Sequence, residues 1–131
     1  MFIVTLTLLH AEQYAIVISK ECTLSKTLNI QNIYLKKQHN IDNCHIVPLN
    51  LRVQSPIRQY FVQIVLDIDD NHWNRYWDKM HFKGVKSPHI VSSSKAMSAY
   101  VMSVPGSIAY IPQTLVTEEM TVLSYFDYKQ N

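Results

Sequence analysis

Apolar residues run without a break from Tyr14 to Ile18, the pattern of a strand covered on both faces. After a polar stretch, Thr27, Ile30, Ile33 and Tyr34 recur at helical spacing until the polar segment Lys36 to Asn40 stops them. His45 to Leu51 reads as a second strand, and Pro48 within it predicts an edge or a strand end. Ser55 and Pro56 make a helix start, because the hydroxyl caps free amides and proline suits the first helical position. Ile57, Tyr60, Phe61, Ile64 and Val65 then form one apolar stripe. Asp69 or Asp70 caps the next helix, which carries Trp73, Tyr76, Trp77 and Met80 at the same spacing and closes at Phe82 and Gly84. A further helix starts among Ser92 to Ser94 and runs through Met97, Tyr100, Val101 and Val104 to the breakers Pro105 and Gly106. His89 to Val91, Ser107 to Ile111 and Met120 to Phe126 read as strands. Strands alternating with helices predict an α/β domain whose mostly parallel central sheet is flanked by helices.

The 131 residues suffice for one domain, and 47% hydrophobic content gives it a core. A net charge of +2, with Lys and Arg scattered along the chain, argues against nucleic acid as a partner. Gly84 and Gly106 are the only glycines, which excludes glycine-rich phosphate loops and the nucleophile elbow. CxxC and HExxH are absent. No catalytic residue and no cofactor is expected.

Residues 1–11 form an apolar run of signal-peptide length, too short to span a bilayer. The reading favoured is a signal truncated at its basic end by a late start, with a mature domain at residues 12–131 and no transmembrane span in it. The alternative is a buried first strand. A signal places the protein in the periplasm or outside the cell, where Cys22 and Cys44 are permitted to pair. They follow one strand and precede the next, however. If those strands are parallel neighbours, the thiols lie at opposite ends, roughly 20 Å apart, so both are expected to be unpaired.

Four segments, in order, resemble the phosphate-binding proteins of bacterial ABC uptake systems, which have the type 2 periplasmic binding protein fold. They are Leu28 to Lys37; Ile46-Val47-Pro48 running to Ser55 and Phe61; His72 to Trp77 continuing through Phe82-Lys83-Gly84; and Val104-Pro105-Gly106-Ser107-Ile108-Ala109-Tyr110. The last is similar to the family's Pro-Gly-Ala-Ile-Gly-Tyr signature, and together they cover about residues 14–127. The resemblance extends to one of the family's two lobes. It implies a single-lobe binding protein that is not an enzyme, with a partner chain or a homodimer supplying the second wall of the cleft.

In the family, a Ser-Gly-Thr triplet opens the anion-gripping helix, with an Arg and an Asp shortly before it. Here the triplet matches Ser55-Pro56-Ile57, while the Asp and Arg positions fall on Val53 and Leu51. The resemblance therefore implies an anion site made of Ser55, the amides of Ile57 and Arg58, and the guanidinium of Arg52 or Arg58. Each charge-assisted hydrogen bond contributes about 1.5–3 kcal/mol. Losing three or four of them turns a micromolar site into a millimolar or weaker one. The expected function is weak recognition of phosphate or a related oxyanion in a transport or sensing context. The alternative is a ligand-free structural or protein-interaction module on the same fold.

Other chemistry has simpler readings. Asp67, Asp69, Asp70 and His72 have the composition of a metal site, yet acidic residues ahead of a helix cap it, and no metal is expected. His81 is expected as a partly buried packing residue, and Trp73, Tyr76 and Trp77 as core. Ser92-Ser93-Ser94 could bind an anion at the start of its helix, but reads more simply as a redundant cap.

Overall fold

A computed structural model describes residues 11–22, 28–42 and 44–129. The proposed signal at residues 1–11 lies outside the described residues except for Ala11, which begins the first strand, as does Thr27 of the first helical pattern. Five strands form the main sheet: β1 (Ala11–Ser19), β4 (Val47–Asn50), β5 (His89–Ile90), β6 (Ser107–Pro112) and β7 (Met120–Lys129), in the order β5-β4-β6-β1-β7. β2 (Asn40–Ile41) and β3 (Cys44–His45) make a small separate hairpin. β5, β4 and β6 are parallel, and β1 runs antiparallel to both β6 and β7. Four of the five main strands thus share one direction, with β1 reversed between two of them. Pro48 lies where β5 does not reach, since β5 pairs with Leu49 and Asn50 alone.

The reversal of β1 overturns the expectation of two free thiols. β6 separates β1 from β4, and β1 is antiparallel to β6 whereas β4 is parallel to it. The end of β1 and the start of β4 therefore fall at the same edge of the sheet. Cys22 and Cys44 meet there in a disulfide, with Cα atoms 5.8 Å apart.

Helices cover the sheet. α1 (Ile30–Tyr34) is capped by Asn29, α2 (Pro56–Tyr60) by Ser55, α3 (Asp70–Phe82) by Asp69 and α4 (Ser94–Ser103) by Ser93. Crossovers between parallel strands are right-handed. The β4-to-β5 crossover carries α2 and α3, and the β5-to-β6 crossover carries α4 in the opposite direction across the sheet, so α4 lies on the opposite face from α2 and α3. The core is continuous from β1 through Tyr34, Phe61 and Tyr110, where the Phe61 and Tyr110 rings stack at 3.9 Å and Tyr34 meets Phe61 edge-on.

Two local departures matter. After α2 the chain widens into a π-helical segment, Phe61–Val65, and the Leu66 amide donates to the Phe61 carbonyl at 2.8 Å. The wide turn rotates the stripe: Ile64 is 61% exposed, and Val62 and Leu66 are buried in its place. At the end of α3, Gly84 adopts φ +83°, its amide bonding the His81 carbonyl while the Val85 amide reaches Met80, the pairing of a Schellman turn. His81 is exposed on this last turn and not partly buried as expected, its ring leaning on Trp77 at 6.0 Å. Trp73 and Trp77 are core residues. No helix among the described residues is long and apolar enough to cross a membrane.

Candidate functional site

The strand order places a crevice at the carboxyl ends of β4 and β5. The connection from β4 turns to one face and the connection from β5 to the other, and a gap opens where they part, which is where ligands settle in open α/β sheets. The crevice has a volume of about 510 Å³ and is lined by Leu51, Arg52, Gln54, Ser55 and Ile57 on one side and by Ser92 to Ser94 on the other.

Two helix starts meet at this crevice. Ser55 Oγ accepts from the Arg58 amide at 3.5 Å, and Ser93 Oγ accepts from the Ala96 amide at 3.1 Å. Free amides and aligned peptide dipoles give each start a partial positive charge. The loop ahead of α2 is held by the Ser55 amide on the Arg52 carbonyl at 2.9 Å and by Gln59 Nε2 on the Val53 carbonyl at 3.2 Å. Arg52 is exposed beside it.

The structure brings together Ser55, Ile57 and Arg52 of the four residues expected to hold an anion. Arg58 takes another course. Its Nη1 donates to the Leu51 carbonyl at 2.8 Å, and the side chain borders two neighbouring cavities beside Trp73 and Asn74 and not the crevice. Burial lowers its pKa from the ordinary arginine value, while nearby Tyr110 and Asp70 act in the opposite direction. Its backbone amide is already engaged by the Ser55 cap. Ser92 to Ser94 are the residues that sequence reasoning set aside. Their composition marks a helix cap before it marks an anion site, and only the sheet order shows that this cap faces Ser55.

The acidic cluster separates into local roles. Asp69 Oδ1 accepts from the His72 amide at 2.7 Å as the cap of α3, and Asp67 sits at φ +56° in the turn before it. Among the described residues, no three of His, Cys, Asp or Glu gather to hold a metal.

No protein-family model matches the chain, and no curated protein sequence matches it. Its fold is similar to that of solved structures. One is an ABC-type phosphate transport receptor from Vibrio cholerae, 15% identical with a TM-score of 0.63, over 88% of this chain and 46% of that one. Another is a substrate-binding protein assigned to phosphate ABC transport in Clostridium perfringens, with bound phosphate. It is 17% identical with a TM-score of 0.66, over 86% of this chain and 44% of that one. The chain spans less than half the length of each. It has the α/β fold of one lobe of a periplasmic binding protein.

Proposed function

We propose that the chain is an extracytoplasmic solute-binding lobe, not an enzyme, that recognises phosphate or a related oxyanion weakly in a transport or sensing context. The observation that carries this reading is the meeting of two capped helix starts, at Ser55 and Ser93, on one crevice beside Arg52. Anions settle at helix starts because amides point at them and the dipole favours negative charge; at α2 the amide on offer is that of Ile57, since Pro56 has no N–H and the Arg58 amide is held by the Ser55 cap. Structures of similar fold include a receptor for phosphate and a protein holding bound phosphate, which supports the ligand class. The Cys22–Cys44 disulfide supports an oxidising compartment such as the periplasm or the exterior.

The chain covers less than half of each similar structure, and a closed site needs a second wall beyond these residues, for which a partner chain or a second copy is the source proposed. Affinity in the lone chain is in the millimolar range or weaker, because the positions of the family's Asp and Arg are filled by Val53 and Leu51.

Calorimetric titration of the full chain with phosphate at low salt tests this, with sulfate as competitor and the mass in solution recorded alongside. The expected result is saturable heat, reduced by salt and lost in the Ser55→Ala, Arg52→Ala double variant. Absence of saturable heat at phosphate concentrations well above the millimolar range overturns it. The second reading, a scaffold that keeps the fold for protein contacts, is favoured by one observation: Val53, an apolar residue at the family's Asp position, is 60% exposed.

A further inference from the structure

Between α3 and the ends of β4 and β5 lies a cavity of about 190 Å³ bordered by Asn50, Arg58, Trp77, Asp78, His81 and Ser87 among others. Asn50 is 0% exposed and Trp77 is 3% exposed. The side-chain nitrogens of both, Asn50 Nδ2 and Trp77 Nε1, are buried and have no hydrogen-bond partner among the described residues. Buried polar groups are almost always satisfied, so two orphans on residues that border one cavity call for a common explanation.

Their chemistry is the same. Asn50 Oδ1 accepts from the Tyr110 hydroxyl at 2.5 Å and from the Leu51 amide at 3.0 Å. These bonds fix the orientation of the amide and leave the NH₂ group unused. The indole N–H of Trp77 donates and has no acceptor capacity. Both orphans are therefore donors and require acceptor oxygens. Arg58, half-buried on the same lining, adds positive charge where solvent screens it least. Asp78 is the single carboxylate of the lining, and it is exposed to screening by water and salt.

We propose that this cavity binds a small carboxylate, its oxygens accepting from Asn50 Nδ2 and Trp77 Nε1 and its charge facing Arg58. The site is separate from the crevice between α2 and α4 and does not depend on the function proposed for it.

The test is a titration of ¹⁵N-labelled full-length protein with sodium acetate, followed at the Trp77 indole and Asn50 amide resonances, with sodium chloride at matched ionic strength as the control. The expected result is a saturable shift of both signals with acetate and none with chloride. Asn50→Asp keeps the acceptor oxygen for Tyr110 and Leu51 and replaces the NH₂ with an oxygen. That variant, once its spectrum shows an intact fold, should bind acetate about tenfold more weakly or not at all. Ser55→Ala should leave the response unchanged. The proposal is overturned by equal shifts with chloride, by an Asn50→Asp response equal to that of the unaltered chain, or by loss of the response in Ser55→Ala. It also fails if both signals are unmoved by acetate and show only transfer from bound water, which would make ordered water the acceptor.

Discussion

Gly106 approaches His45 so closely that a Cβ built on the glycine would lie 2.0 Å from the His45 carbonyl oxygen. Gly106 also adopts φ +83°, a region that side chains avoid. Its own carbonyl accepts from the Val47 amide at 2.9 Å, which ties the start of β6 to the start of β4. The obstacle is backbone and has no rotamer by which to yield. Gly106→Ala should therefore lower stability by about 3 kcal/mol or more. Gly84 shares the same φ but has open space around the Cβ position, so Gly84→Ala should cost only about 1 kcal/mol. Urea unfolding of the two variants checks the contrast, and equal losses would refute the role of the His45 contact.

The disulfide closes a separation of 22 residues that includes α1 and β2 and ends at the first residue of β3. In the chain-entropy account, a loop of this size restrains the unfolded state by about 3 kcal/mol. A Cys22→Ser, Cys44→Ser double variant should unfold at correspondingly lower urea. Reductant should shift the midpoint of the unaltered chain to match and leave the double variant unmoved. A midpoint indifferent to reductant would show that the bridge does not form.

The π-helical turn makes a third expectation. Even helical spacing would put Ile64 in the core, yet it is 61% exposed, while Leu66, just past the wide turn, is 2% exposed. Ile64→Ser should change stability by no more than about 0.5 kcal/mol, and Leu66→Ala should cost about 3 kcal/mol. Thermal or urea unfolding distinguishes the two registers, because a regular helix reverses the order of these effects.

What the sequence made legible was local. Ser55, Asp69 and Ser93 cap the helices expected of them, because a cap is a contact with a residue three positions on and its signal lies in adjacent letters. The strands of the main sheet were visible as apolar runs for the same reason, whereas the β2–β3 hairpin was not, and the run from His45 to Leu51 divides between β3 and β4. Pairing between strands was not, since nothing near Tyr14 indicates that β1 will run against β6. The disulfide depends on that pairing and was missed with it. The candidate crevice followed the same division: Ser55 and Arg52 came from a motif, whereas Ser92 to Ser94 joined them only through the sheet order. Arg58 was misdirected because the course of a long side chain is set by its surroundings, here the Leu51 carbonyl and the underside of α3.

Alkaline stability provides a last test of the core. Tyr110 donates to Asn50 Oδ1 and accepts from the Leu51 amide at 3.2 Å, and Tyr34 donates to the Leu49 carbonyl at 2.7 Å. Burial raises the pKa of both phenols above the ordinary tyrosine value. In the unfolded chain they ionise near about pH 10, and in the folded chain they keep their protons. Above that pH the unfolded state binds fewer protons than the native state. The stability these groups contribute is therefore complete below about pH 10 and falls as pH rises, by about 1.4 kcal/mol per pH unit for each tyrosine. Urea unfolding from neutral pH to about pH 12 should show this decline. The phenolate absorbance of the two buried rings should appear together with unfolding and not before it. Tyr110→Phe should be less stable near neutral pH by about 1 kcal/mol through the lost hydrogen bonds, yet decline less steeply in alkali by one tyrosine's share. A slope unchanged in that variant would mean that Tyr110 ionises freely in the native state.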